Sequence, residues 1–177
     1  MPPLPTLGQR IAILGPSNSG KSTLAVSIAQ KTSLPNVHLD QLRHIPNTNW
    51  KERSDEEFKC LHDSAILHES WVMEGNYSSL LARRLDRATG VILLNSNVWF
   101  RYGRYVRRTL RNTRSRAGQL EGGQDRLSWK MTYWIIKTRN KAERYARIIR
   151  QTGKPSVECH TSKELDDLYR HWDLALP

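Results

Sequence analysis

Between residues 15 and 22 the chain reads Gly-Pro-Ser-Asn-Ser-Gly-Lys-Ser, two glycines followed at once by an ammonium group and a hydroxyl. The pattern is G-x-x-x-x-G-K-[ST], and its chemistry is phosphate binding. Glycines at both ends let the backbone curl so that successive N–H groups converge on phosphate oxygens, and the helix start that follows adds positive potential. Gly15, Pro16, Ser17, Asn18, Ser19, Gly20, Lys21, Ser22 and Thr23 are therefore expected to bind a nucleoside triphosphate with Mg²⁺. Lys21 is expected to reach the β- and γ-phosphates, Ser22 to ligate the metal, and Thr23 to add a hydroxyl at the α-phosphate. The surrounding sequence suits the motif, since an apolar run ends at Leu14 and a helix-forming run leaves Lys21.

Binding a nucleotide is not yet chemistry, which needs carboxylates at the ends of neighbouring strands. The apolar run Trp-Val-Met closes on Glu74, a candidate catalytic residue and, with Ser22, a candidate metal ligand. The run Pro-Asn-Val-His-Leu closes on Asp40, placed to accept a proton from an acceptor hydroxyl or to bind that acceptor. The most apolar run, Gly90 to Leu94, ends instead in the uncharged Asn95. Parallel sheets gather such strand ends along one ligand-binding edge.

The elements that must position these groups follow from periodicity. Short apolar runs at 9–14, 35–40, 71–74, 90–95 and 155–159 alternate with helical patterns at 21–31, 54–67, 79–87, 98–111, 125–151 and 162–172. Strands alternating with helices imply α/β architecture, a doubly wound five-stranded parallel sheet. Ser54 and Glu57 have the spacing of a capping box, and Phe58, Leu61, Ala65 and Leu67 are expected to face inward from the helix they open. Residues 1–8 read as a Pro-rich tail and 9–177 as one domain.

The net charge of +11 is concentrated. From Val98 to Arg150 there are 15 Lys and Arg against three acids, and the rest of the chain is nearly balanced. Such a field draws polyanions, whether a triphosphate or nucleic acid. No apolar run is long enough for a membrane helix, and the start lacks the pattern of a signal peptide. Cys60 and Cys159 have no partner spacing, which fits reduced thiols in a cytoplasmic protein. The histidines show no metal-ligand spacing, although His38 and His44 bracket Asp40 and, with Arg43 and Trp50, are candidates to line an acceptor pocket.

Taken together, ILGPSNSGKSTLA, NVHLDQL, WVMEGNY and RYGRYVRRTL resemble the adenylate-kinase-like P-loop kinases, in particular the small DNA topology modulation protein type. The likeness runs from about Arg10 to Trp172 and includes EGGQDRLSWKMTYWI at 121–135. It implies a nucleotide-kinase-like P-loop fold with a basic lid at 111–124 carrying Arg111, Arg114 and Arg116. It implies too that Arg104 stacks on the base and Arg108, one turn on, faces the phosphates, both as catalytic and nucleotide-binding residues. Arg84 would face the acceptor side. The chain departs from the family at Thr89, Asn95 and Asn97, where an acid, Asp and Pro are common.

The expected activity is transfer of the γ-phosphoryl group of Mg·ATP to a small hydroxyl or phosphate acceptor held among Asp40, Arg43 and Arg84. Two alternatives stand beside it. The basic segment is interleaved with aromatics such as Trp99, Tyr102 and Trp129, as in a nucleic-acid-binding ATPase or polynucleotide kinase. Asn95, in place of an acid, would also suit a nucleotide-sensing regulator. The small acceptor is favoured, because much of the aromatic spacing is three or four residues, which equally packs a helix on a core. Arg101, Arg107, Arg139, Arg144, Arg147 and Arg150 are expected on a solvated helical face.

Overall fold

The computed structural model describes residues 1–48, 50–98, 101–103, 106 and 141–176. The expected roles of Arg104 and Arg108, and of the lid at 111–124, lie outside the described residues. Five strands are present: β1 (Arg10–Leu14), β2 (Asn36–His38), β3 (Trp71–Glu74), β4 (Gly90–Leu94) and β5 (Ser156–Cys159). The described helices are α1 (Lys21–Thr32), α2 (Leu39–Arg43), α3 (Asp55–Leu67), α4 (Leu81–Arg87), α5 (Lys141–Thr152) and α6 (Ser162–His171).

All strand pairs are parallel, in the order β2-β3-β1-β4-β5. Both faces are covered, and this explains the near-continuous apolar runs. Ile11 and Ile13 point to the face covered by α1 and α6, where Leu24, Ile28, Leu165 and Leu168 meet them. Ala12 and Leu14 point to the other, against Ile66 of α3, Leu81 and Leu85 of α4, and Tyr145 and Ile149 of α5. β1 lies centrally with β3 and β4 on either side, so the loop leaving it opens at the point where the winding reverses, which is where such sheets bind ligands.

Local signals were legible. Ser54 Oγ accepts from Glu57 N and Glu57 Oε2 accepts from Ser54 N, both at 3.1 Å, forming the expected capping box of α3. The inward stripe of that helix is shifted, however. Phe58, His62 and Ile66 are buried, Ala65 packs at the edge of the core, and Leu61 and Leu67 face solvent. Residues 1–8 also depart from a free tail. Leu4–Leu7 forms a 3-10 turn with both leucines buried, and Trp172 Nε1 donates to Pro2 O at 2.9 Å. The turn lies so close on β4 that a Cβ at Gly90 would come within 2.6 Å of Leu7. Thr89 fastens the junction, accepting from Arg10 N at 2.9 Å and donating to Leu7 O at 2.8 Å. Among the described residues no helix is long and apolar enough to cross a membrane.

Candidate active site

The phosphate loop turns from β1 into α1 as its sequence requires. Gly15 has φ +146°, Asn18 +64° and Gly20 +102°, the left-handed conformations that reverse the chain before the helix. Gly15 could be nothing else, because a Cβ there would lie 2.3 Å from Leu94 O at the end of β4. Lys21 folds back across the loop, Nζ donating to Pro16 O at 2.9 Å. Burial pulls its ammonium below the ordinary lysine value; Glu74 and Asp40 oppose this and Arg101 reinforces it. An ammonium held this way gains from an incoming anion, which restores the charge compensation it lacks.

The carboxylates converge on the same place. Glu74 ends β3, buried, and its Oε1 accepts from Ser22 Oγ at 3.1 Å. Burial pushes the Glu74 carboxyl up, but the His38 hydrogen bond, the Lys21 charge and the Ser22 hydroxyl outweigh it, leaving the group below its usual range. A hydroxyl and an ionised carboxylate side by side are hard oxygen donors of the kind Mg²⁺ takes alongside phosphates and waters. The residues present therefore fit a magnesium–nucleotide site. Among the described residues no group of three or more His, Cys, Asp and Glu could hold a metal alone. The amide Nδ2 of Asn18, buried in the loop and without a hydrogen-bond partner among the described residues, is a further donor there.

Asp40 was expected at the end of a strand but lies in the first turn of α2, because β2 stops at His38. It remains exposed at the same edge, and its Oδ1 accepts from Tyr77 Oη at 2.6 Å. Burial, with the Asp40 charge and hydrogen bond, drives the Tyr77 phenol far above its ordinary value, so it stays protonated and donates.

The other two acceptor-side expectations are corrected. Arg84 is fully buried and has no surface to offer a substrate. Its Nη2 donates to Gly75 O at 2.9 Å and Asn76 O at 2.7 Å, beneath the turn that follows β3. Burial brings its guanidinium down to about 10, against the opposing charges of Tyr145 and Glu74. Arg43 is committed to an ion pair with Glu52 at 2.6 Å and another with Asp55 at 2.6 Å. Its guanidinium lies 5.5 Å over the Phe58 ring, which packs 4.7 Å from Tyr77, so Arg43 braces a wall of the Asp40 side. The structure thus joins Lys21, Ser22, Glu74 and Asp40 and leaves Arg43 and Arg84 behind them.

Three contributors escaped the sequence reading. Asn76 Oδ1 accepts from Gly15 N at 3.1 Å while its Nδ2 donates to Gly15 O at 2.8 Å. His38, read only as a pocket-lining candidate, faces Glu74 Oε1 through Nδ1 at 3.0 Å. Arg101, read as solvated, is buried with Nε donating to Ser96 O at 3.2 Å, whereas Arg144, Arg147 and Arg150 are indeed exposed. The sequence held a faint signal for Asn76 alone, in its place directly after a strand-end acid and glycine.

No protein-family model matches the chain, and no curated protein matches it. Solved structures do share the fold. A gluconokinase from Sinorhizobium meliloti 1021 is 14% identical, with 94% of this chain and 90% of that chain covered and a TM-score of 0.57. A shikimate kinase from Acinetobacter baumannii, in complex with shikimate, is 15% identical over 92% of this chain and 89% of that one, TM-score 0.56. An unliganded sugar kinase from Janibacter sp. HTCC2649 is 12% identical over 94% and 95%, TM-score 0.50. The chain shares the fold of these three structures.

Proposed function

We propose that this protein is an ATP-dependent phosphotransferase acting on a small hydroxyl or phosphate acceptor. The observation that carries the reading is the convergence of a complete phosphate loop with two carboxylates: Ser22 bonded to Glu74, and both Glu74 and Asp40 close enough to act on the charge of Lys21. The fold shared with a gluconokinase and with a shikimate kinase bound to shikimate supports a small polar acceptor. So does the resemblance of WVMEGNY to the small P-loop kinases of the DNA topology modulation type.

Each residue has a part. Main-chain amides of 15–23 and the Lys21 ammonium hold the β- and γ-phosphates and neutralise charge that spreads over the transferring group. Ser22 and Glu74 would hold Mg²⁺, which supplies further neutralisation of the phosphate oxygens when bound. Tyr77 fixes one oxygen of Asp40, and the other takes the proton of the acceptor hydroxyl. The acceptor oxygen bonds to the γ-phosphorus, the bond to the β-phosphate oxygen breaks, and ADP leaves with that electron pair. Arg104 and Arg108, which follow β4 in the sequence, would add positive charge beside the phosphates.

The test is a panel of nucleoside monophosphates, nucleosides, sugar acids, shikimate-like polyols and 5′-hydroxyl oligonucleotides, scored by ADP formation. At least one small acceptor is expected to accelerate ADP release, and Lys21→Ala to abolish it with the circular dichroism spectrum intact. Acceptor-independent ADP release that survives in Lys21→Ala would overturn the reading. Stimulation by oligonucleotides alone would move the substrate to nucleic acid.

A further inference from the structure

The relation between β2 and the metal-binding carboxylate is more specific than sharing an edge. Strands β2 and β3 are paired in register, with His38 opposite Glu74. Directly opposed residues on adjacent strands project to the same side, and Asn36, two residues before His38, projects there too. Strand pairing thus places three polar side chains in a row. His38 and Glu74 are both buried.

The hydrogen bonds have a definite sense. A carboxylate that takes a metal ion is ionised, and an ionised carboxylate only accepts. Glu74 Oε1, 3.0 Å from His38 Nδ1, therefore requires the ring proton on Nδ1. On the other side, Asn36 Nδ2 lies 2.9 Å from His38 Nε2. With the amide turned this way its NH₂ donates, and Nε2 accepts and carries no proton.

We propose that Asn36 and His38 are positioning residues for the metal site, orienting Glu74 through the Nδ1–H tautomer of His38. The proposal rests on the reading of Ser22 and Glu74 as the Mg²⁺ pair. Ser22 Oγ and His38 Nδ1 both donate to Oε1, which fixes the rotation of the carboxylate and keeps Oε2 for the metal or its waters. With its proton engaged by Oε1, the Ser22 hydroxyl has lone pairs to give a cation. Outer hydrogen bonds of this kind orient ligands and raise their basicity. Because the relay is built on two paired strands rather than a loop, it is in place before any ligand arrives.

Two measurements test it. Long-range ¹H–¹⁵N correlation of the imidazoles in ligand-free protein, with His38 assigned from its absence in His38→Asn, is expected to show protonated Nδ1 and bare Nε2. A ring protonated at Nε2 and bare at Nδ1 overturns the proposal. The second is a Mg²⁺ titration of the binding of a fluorescent, non-hydrolysable ATP analogue. His38→Leu is expected to raise the half-saturating Mg²⁺ at least about tenfold, within the range for lost outer-shell partners. Its metal-free affinity for the analogue should be unchanged. His38→Asn, which keeps an N–H donor near the position of Nδ1, should recover most of the loss. A His38→Leu curve that overlays wild type, or an equal fall in metal-free affinity, overturns the proposal. If folded wild type does not bind the analogue at all, the phosphotransferase reading falls, and the tautomer measurement still decides the hydrogen-bond relay.

Discussion

The carboxamide of Asn76 grips both main-chain polar atoms of Gly15, taking its N–H at 3.1 Å and giving a hydrogen to its carbonyl at 2.8 Å. Two residues 61 positions apart are joined as if they were paired strands. The grip carries the β1–β3 register two residues beyond the Ile13–Glu74 pair, so the first glycine of the phosphate loop is held between the turn after β3 and the end of β4. Asn76→Ala removes both bonds and leaves two main-chain groups short of partners, a loss of about 1–3 kcal/mol in stability. Urea denaturation should read that loss, and ATP-analogue affinity should fall with it. If both stay at wild-type values, the loop does not depend on this clamp.

The next turn of chain links the phosphate loop to Asp40. Tyr77 follows Asn76 and donates to Asp40 Oδ1 at 2.6 Å. Asp40→Asn should lower kcat by about 10²–10⁴-fold, the usual worth of a general base, while ATP-analogue affinity stays within a few-fold. Tyr77→Phe keeps the base but frees its rotation, and should cost a smaller part of the rate. Steady-state kinetics with the acceptor found in the panel would check both; a full rate in Asp40→Asn would remove the base from the mechanism.

Arg84 supports this turn from below through the carbonyls of Gly75 and Asn76. Lysine cannot reach both carbonyls in the same geometry. Arg84→Lys is expected to lose about 2 kcal/mol, which in a chain of this size lowers Tm by about 4–8 °C. The effect should fall on stability more than on the acceptor KM. A large rise in KM with Tm unchanged would return Arg84 to the substrate.

His62 gives the fold an acid sensitivity of its own. It is fully buried in α3, packed edge-on to Phe58, and burial holds its imidazole below the ordinary histidine value; Arg84 and Arg83 add to this and Asp63 opposes it. The unfolded chain then takes up a proton before the native state does. The associated stability is present above the unfolded value near 6.5 and is lost as pH falls through the lowered native one. Tm should drop between about pH 7 and pH 5, with a shallower slope in His62→Phe. Parallel Tm profiles for the two proteins would assign the acid loss elsewhere.

Where an element depends on near neighbours, it could be read directly. The loop from Gly15 to Ser22 is contiguous and shaped by its own backbone, so eight letters suffice for its course. Ser54 and Glu57 are three residues apart and cap α3 as written. The strands announce themselves because parallel strands covered on both faces are apolar at nearly every position.

The carboxylate partners could not be read in that way. Whether Asp40 ends a strand or begins a helix turns on where β2 stops pairing, and pairing belongs to β3 as much as to β2. Arg84 and Arg43 are expected at an acceptor and Arg101 on a solvated face, but three-dimensional packing spends the first on two carbonyls, pairs the second with Glu52 and Asp55, and buries the third beside Ser96. His38 meets Glu74, and Asn76 meets Gly15, only because the sheet is ordered β2-β3-β1. The sequence by itself determined the glycine-bounded turn from β1 into α1 and the alternation of strands and helices, both matters of local backbone preference and short-range pattern. Only the tertiary structure decided which side chains orient those acids, because contacts across paired strands depend on strand order and register, which no local stretch of chain contains.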